Sequence, residues 1–335
     1  MRNFDYGIAH RPEDAFAADG ATTMAIAGGT ELLNWFRLGI AAPAGVIDIG
    51  CIEGLDAIER RGDRISIGAL ATLNAVGEHP LVREHAAVLA EACLAAASAQ
   101  IRNRATIGGN VLQKTRCAYF RAEAPLPWGC NKRVPGSGCA ARNGLNDRHA
   151  IFGWTDACVA TQPSDPVVAL AALDAQIEIT GPGGQRMLAA AELHLAQEEA
   201  LTAGLDPARA ETSLRPGELI IAYHLPIRAG EQSAYVKVRE RASYEYALVS
   251  AAAILAIEDG RITRASIALG SVAQKPWRVP RAESALVGQA PTRDAALPVL
   301  LESLGDARPL AHNAYKVRMA AGAAARAIVL AGASA

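Results

Sequence analysis

The sequence predicts an α+β protein: an α/β region over the first two thirds, then an antiparallel sheet with helices. Three observations predict it. Short apolar runs alternate with helix-like segments between Thr23 and Leu173. Two of the junctions carry glycine pairs, Gly28-Gly29 and Gly108-Gly109. From Ala234 onward the apolar runs follow one another through turns, and the chain closes on an alanine-rich stretch, which is the order of an α+β rather than a purely α/β chain.

Taken in order, Thr23–Ala27 reads as a buried strand broken by Gly28-Gly29-Thr30. Glu31–Leu38 reads as a helix, with Leu32, Leu33 and Phe36 on one face and Gly39 as its stop. Val46–Ile49 and the alternating Arg64–Gly68 are further strands. One long helix is expected over Pro80–Gln100, then a second strand-to-glycine turn at Thr106-Ile107-Gly108-Gly109-Asn110. Regular apolar periodicity is nearly lost over residues 113–157 and resumes with a helix at Asp165–Leu173 and a strand at Gln176–Thr180. Gly181-Pro182-Gly183-Gly184 marks a hairpin, and Leu219–Tyr223 is a strand ending at Pro226. A boundary is placed near 226–233. Beyond it come Tyr235–Val238, Val249–Ile257 and Ile262–Leu269, the last two joined by the hairpin signal Asp259-Gly260. About Ala311–Leu330 is a helix. There is no internal repeat and no heptad pattern.

The bulk properties exclude several classes. At 335 residues, two or three subdomains are expected. A net charge of −1 gives no general attraction to nucleic acid or acidic membranes. The first residues show no apolar stretch of a signal peptide, and the charge-free run Ala247–Ile257 is too short to span a bilayer. A soluble protein made in the cytoplasm is expected, exported only if bound to a partner that carries a signal. The patterns of serine hydrolases, zinc proteases and P-loop enzymes are absent.

Five constellations remain. In Ala27-Gly28-Gly29-Thr30-Glu31, two glycines let backbone approach a ligand, and Thr30 is placed to cap the following helix, whose N–H groups would face an anion. A tight strand–helix turn explains the same residues. Thr106–Asn110 repeats the logic, and two such turns suggest a dinucleotide clamped from two sides. The third is Cys117-x12-Cys130-x8-Cys139-x18-Cys158, four of the six cysteines within 42 residues. Four thiolates suit a 4Fe–4S cluster or a structural zinc. No close cysteine pair of the zinc type occurs, so iron–sulfur is preferred; a basic nucleic-acid-binding knuckle is the bland alternative. Nine Lys/Arg against two acids between Arg102 and His149 would offset a cluster's negative charge. Cys51 and Cys93 read as packed thiols. Fourth, Asp165 in Pro163-Ser164-Asp165-Pro166 reads as a helix cap or an acceptor for a ligand N–H. Fifth, Lys237 in the apolar strand Tyr235–Val238 is placed either beside a flavin's pyrimidine edge or outward to solvent.

In this order the motifs resemble the FAD-binding subunit of the xanthine dehydrogenase/aldehyde oxidoreductase family of molybdenum hydroxylases, over almost the whole chain. Ala27–Leu32 is similar to the family's first FAD loop, Thr106–Asn110 to its second, Pro163-Ser164-Asp165 to its aspartate loop and Lys237 to its third-subdomain lysine. The departure is an insertion of about 50 residues between the second turn and Asp165, holding the four cysteines. Its Cys130-Asn131-Lys132-Arg133 and Pro135-Gly136-Ser137-Gly138-Cys139 segments resemble those of the cluster-bearing medium subunits of periplasmic aldehyde oxidoreductases. The medium subunits of 4-hydroxybenzoyl-CoA reductases, which also carry a cluster, are the rival within the family.

The resemblance implies a vanillyl-alcohol-oxidase-type FAD fold of two α/β subdomains, then a C-terminal α+β subdomain. It implies an FAD domain at 1–228, split near 55–60 and carrying the insertion at 113–160, and a second domain at 229–335. It implies FAD contacts from Ile26, Ala27, Gly28, Gly29, Thr30, Glu31, Leu32, Leu33, Asn34, Thr106, Gly109, Asn110, Asp165, Ile220 and Lys237. It implies a 4Fe–4S cluster on Cys117, Cys130, Cys139 and Cys158, and no catalytic side chain in this chain beyond the flavin. The implied partners are a large subunit with molybdenum cofactor, a small subunit with 2Fe–2S clusters, and an external electron acceptor.

Overall fold

A computed structural model describes residues 2–333; the outermost positions of both expected domains lie outside the described residues. Twelve strands fall into three sheets. The first is β1 (Asp5–Ile8), β2 (Thr23–Ile26) and β3 (Gly45–Asp48), parallel in the order β1-β3-β2. Parallel pairing needs a crossover, and the helix Leu32–Arg37 provides it between β2 and β3. The second is β4 (Ile58–Arg61), β5 (Arg64–Gly68), β6 (Gln176–Gly181), β7 (Gly184–Ala189) and β8 (Leu219–Pro226), antiparallel in the order β4-β5-β8-β6-β7. The third is β9 (Glu231–Val238), β10 (Val249–Glu258), β11 (Arg261–Gly270) and β12 (Trp277–Arg278), antiparallel in the order β12-β11-β10-β9.

The third sheet is covered on both faces. Along β10, Ala252 and Ile254 join the core that contains the helix Asp165–Ala172. The alternate residues Val249, Ala251, Ala253 and Leu255 join the core under the helix Tyr315–Ala333. Opposite pointing of successive strand side chains dictates this division. It explains why β10 reads as an unbroken apolar run. The closing helix presents mainly alanines to the sheet, so the two backbones approach closely. At the hairpin, Asp259 and Gly260 take φ of 50° and 73°, the left-handed pair that a two-residue turn requires.

Four sequence expectations are corrected. The helix expected over Pro80–Gln100 is three, Pro80–His85, Ala87–Ala95 and Ala99–Arg102. Ala86 leaves helical geometry, Ala96 is extended, and Ala97 takes a left-handed φ of 47° before Ser98 caps the third piece. Thr106–Asn110 is no strand-to-glycine turn: Thr106 Oγ1 accepts from the Gly109 N–H at 3.1 Å and caps a short helix, Ile107–Val111. Local capping overrode the apparent strand. Cys51 is exposed rather than packed, whereas Cys93 is fully buried. Thr30 makes no capping bond; the helix Leu32–Arg37 starts from Glu31 without a side-chain cap. No helix among the described residues is long and apolar enough to cross a membrane.

Candidate functional site

Where the three sheets meet lies a cavity of about 590 Å³, within the range that encloses cofactors. Every expected FAD-contact residue lines it except Leu33, whose side chain is exposed. The two glycine segments are in direct contact. A Cβ on Gly28 would stand 2.0 Å from the Arg104 carbonyl oxygen, so this glycine is required by packing of the first loop against the chain entering the second. Gly29 takes φ +71°, a left-handed conformation that glycine adopts without strain. Gly108 packs on Ala69, donating to its carbonyl at 2.9 Å.

Asn110 Oδ1 accepts from Ser164 Oγ at 2.7 Å, and Ser164 caps the helix Asp165–Ala172. Capping therefore falls to Ser164 rather than to Asp165, which is freed for another role. Asp165 accepts from Lys237 Nζ at 2.8 Å and from Tyr235 Oη at 2.7 Å. Lys237 points inward, about 4% exposed, and also donates to the Ala95 carbonyl at 3.1 Å. The lysine and aspartate pair across the second and third sheets at the cavity wall. Burial and the neighbouring Asp165 raise the Tyr235 hydroxyl well above its ordinary range, so it stays a donor.

Glu31 is held from outside its own loop. Arg116 Nη2 donates to it at 2.8 Å, Arg121 pairs with its other oxygen, and Trp35 Nε1 donates at 2.7 Å. Burial raises the Glu31 carboxyl, and the two arginines more than reverse this, leaving it below the usual range. The Arg116 guanidinium lies over the Tyr246 ring, 4.4 Å from its centroid. The wall also includes Ala97, Gln113, Tyr244 and Tyr246, which sequence reasoning missed. Two aromatics spaced by one residue, shortly after Lys237, were the available signal. Ala97 and Tyr244 both have left-handed φ, 47° and 54°, strain of a kind that gathers at ligand-binding loops.

Cys117, Cys130, Cys139 and Cys158 line one small cavity. Cys130 and Cys139 face each other across an antiparallel bridge, and Cys139 hydrogen-bonds Cys158. Each sulfur collects backbone N–H groups: Phe120 and Tyr119 on Cys117, Arg133 and Lys132 on Cys130, Arg142 and Val159 on Cys139, Ala160 on Cys158. Such donors favour the thiolate. Burial opposes it, pushing the Cys117 thiol up to about 12, whereas the bond from Cys139 and the nearby Lys132 pull Cys158 down. Among the described residues, no group of three or more His, Cys, Asp or Glu is arranged to hold a single metal ion.

The surplus of basic residues read from this segment is largely answered from elsewhere in the chain. Lys114 and Lys132 pair with Glu211, Arg116 and Arg121 with Glu31, Arg142 with Asp156, and Arg148 with Glu240 and Glu245. Arg133 instead donates to the carbonyls of Leu38, Gly39, Phe120 and Ala122. Lys132 alone is a fully sequestered cation beside the sulfurs. Hydrogen bonds to the rest of the protein thus order the segment, which contains the short helices Ala118–Arg121 and Ala140–Asn143.

Residues 3–228 match the family described as the FAD binding domain in molybdopterin dehydrogenase, and residues 234–331 match the CO dehydrogenase flavoprotein C-terminal domain. The chain belongs to this family, as an FAD-binding subunit of an oxidoreductase of the aldehyde/CO dehydrogenase type. It is 42% identical over 325 residues to the aldehyde oxidoreductase FAD-binding subunit PaoB of Escherichia coli, covering 96% of this chain and 95% of that protein. It is 28% identical over 295 residues to the carbon monoxide dehydrogenase medium chain of Afipia carboxidovorans, covering 86% and 81%. The carbon monoxide dehydrogenase structure from Hydrogenophaga pseudoflava superposes with a TM-score of 0.75 at 25% identity, covering 99% of this chain and 98% of that one. The α+β fold expected from the sequence is therefore the fold of the family.

Proposed function

We propose that this chain is the electron-transfer subunit of a molybdenum-dependent aldehyde oxidoreductase and carries a 4Fe–4S cluster beside its FAD. The convergence of four sulfurs, each supplied with backbone N–H donors, carries the reading. The identity to an aldehyde oxidoreductase subunit along nearly the whole chain supports the substrate class. Bound FAD supplies the exchange of electrons between 2Fe–2S clusters of a small partner and an external acceptor; a large partner holds the molybdenum cofactor.

The chain's own residues supply position and charge. The loop Ile26–Asn34 and the Thr106–Asn110 turn form two walls of the FAD cavity. Ile220 adds an apolar side, and the Asp165–Lys237 pair holds an ammonium group there without net charge. Cys117, Cys130, Cys139 and Cys158 would ligate the cluster, with Lys132 offsetting part of its negative charge. The space among the sulfurs is about 10 Å³, so loading requires Cys139 and Cys158 to part. The division into 1–228 and 229–335 is supported by the end of β8 at Pro226 and the start of β9 at Glu231.

The absorption spectrum tests the reading: purified protein shows flavin bands on a broad iron–sulfur shoulder, and a protein lacking both would overturn it. The assembled complex should reduce its acceptor with aldehydes. Activity confined to aromatic acyl-CoA esters would instead place it with the 4-hydroxybenzoyl-CoA reductases.

A further inference from the structure

The four-cysteine cavity has one polar side chain that the cluster reading leaves unused. His149 is buried, lines that cavity, and sets its Nε2 3.2 Å from the Cys117 sulfur. Its other ring nitrogen, Nδ1, is buried without a partner. The backbone behind the ring is fixed: the His149 carbonyl accepts from Asn313 Nδ2 at 3.1 Å and from Lys316 Nζ at 2.8 Å, both on or beside the closing helix. The imidazole is thus aimed by the third sheet's side of the molecule at one cysteine of the insertion.

We propose that His149 is a positioning residue that donates an Nε2–H···S hydrogen bond to Cys117 and raises the reduction potential of the cluster. This rests on Cys117 being a cluster ligand. A ligating thiolate has no proton, so a bare Nε2 would face sulfur lone pairs; the proton must sit on Nε2. Nδ1 is then an unpartnered acceptor, which is tolerated in a protein interior better than an unpartnered N–H. A hydrogen bond to a ligating sulfur favours the reduced, more negative cluster. Cys117 is also the cysteine nearest the flavin cavity along the chain, because Arg116 lines that cavity. The tuned sulfur is therefore on the flavin side.

The test is a potentiometric titration of the intact complex, with the 4Fe–4S signal followed by EPR and with iron, sulfide and flavin measured per chain. His149→Leu should keep iron and flavin and shift the cluster to a lower potential. His149→Gln, which keeps an N–H donor, should lie between Leu and wild type. A wild-type potential in His149→Leu at full iron content would overturn the proposal. If the Leu variant does not assemble, pulsed EPR of the wild-type cluster with isotopically labelled histidine decides. A weak nitrogen coupling supports the hydrogen bond, whereas no coupling, or the strong coupling of a directly ligated nitrogen, overturns it. Absence of a 4Fe–4S signal in the wild type is a different result, because it removes the cluster itself.

Discussion

The flavin cavity and the four-cysteine centre share a wall and are built by opposite means. One extended segment separates them: Gln113 and Arg116 face the flavin cavity, Thr115 and Cys117 face the cysteines. The flavin cavity is mostly made of backbone, with glycines that let chain segments touch and short capped helices that hold them. The cysteine centre is held by long side chains reaching across the molecule, such as Lys132 to Glu211, Gln274 and the Ala208 carbonyl. A backbone cavity is damaged by adding atoms; a side-chain scaffold is damaged by removing charges. Substitutions can therefore separate the two.

The largest effect is expected where the flavin cavity departs from this rule. Lys237 and Asp165 are both nearly fully buried, and Lys237→Met leaves an unpaired carboxylate, a loss of about 3–5 kcal/mol. Denaturant titration should show it, with recovery of most of that loss in the double variant Asp165→Leu/Lys237→Met. An equal loss in both would mean that the lysine matters for packing and not for charge. Gly28→Ala should follow, at about 1–3 kcal/mol, because its Cβ meets the Arg104 carbonyl. Flavin content should fall in parallel. Gly29→Ala meets only side-chain carbons at ordinary contact distance and strains φ alone, costing about 1–2 kcal/mol.

The smallest effect concerns the scaffold of the cysteine centre. Burial raises the Glu211 carboxyl, but Lys132 and Lys114 outweigh it and lower its pKa to about 2, from an ordinary 4.5. A depressed carboxyl stabilises the fold fully above its unfolded value and loses that contribution as pH falls through the folded one. Acid titration should therefore loosen this region between about pH 4.5 and 2, as pKa linkage requires. Glu211→Gln should flatten that part of the profile, and an unchanged acid limb would contradict the role given to Glu211.

The same contrast explains what could be read in the sequence. The first loop is contiguous, so Gly28, Gly29 and Glu31 announced themselves together. Asp165 and Lys237 were visible as a polar pair of positions, but their mutual bond depends on the second sheet meeting the third. Arg116, Tyr246 and Glu211 were illegible as partners because each acts over a long stretch of chain, and no local pattern marks such a contact. The basic surplus near the cysteines misled for the same reason, since its counter-charges lie at Glu31, Glu211 and Glu240. The Pro80–Gln100 helix failed at Ala96 and Ala97, where good helix formers are overridden by the wall of the cavity.

The central claim is that the insertion holds a second redox centre beside the flavin. The most direct test is the iron and labile sulfide content of the intact complex, wild type against Cys130→Ser. The account predicts that wild type contains four irons beyond those of the partner's 2Fe–2S clusters, and that Cys130→Ser loses those four while keeping its flavin. Equal iron in the two proteins would contradict it.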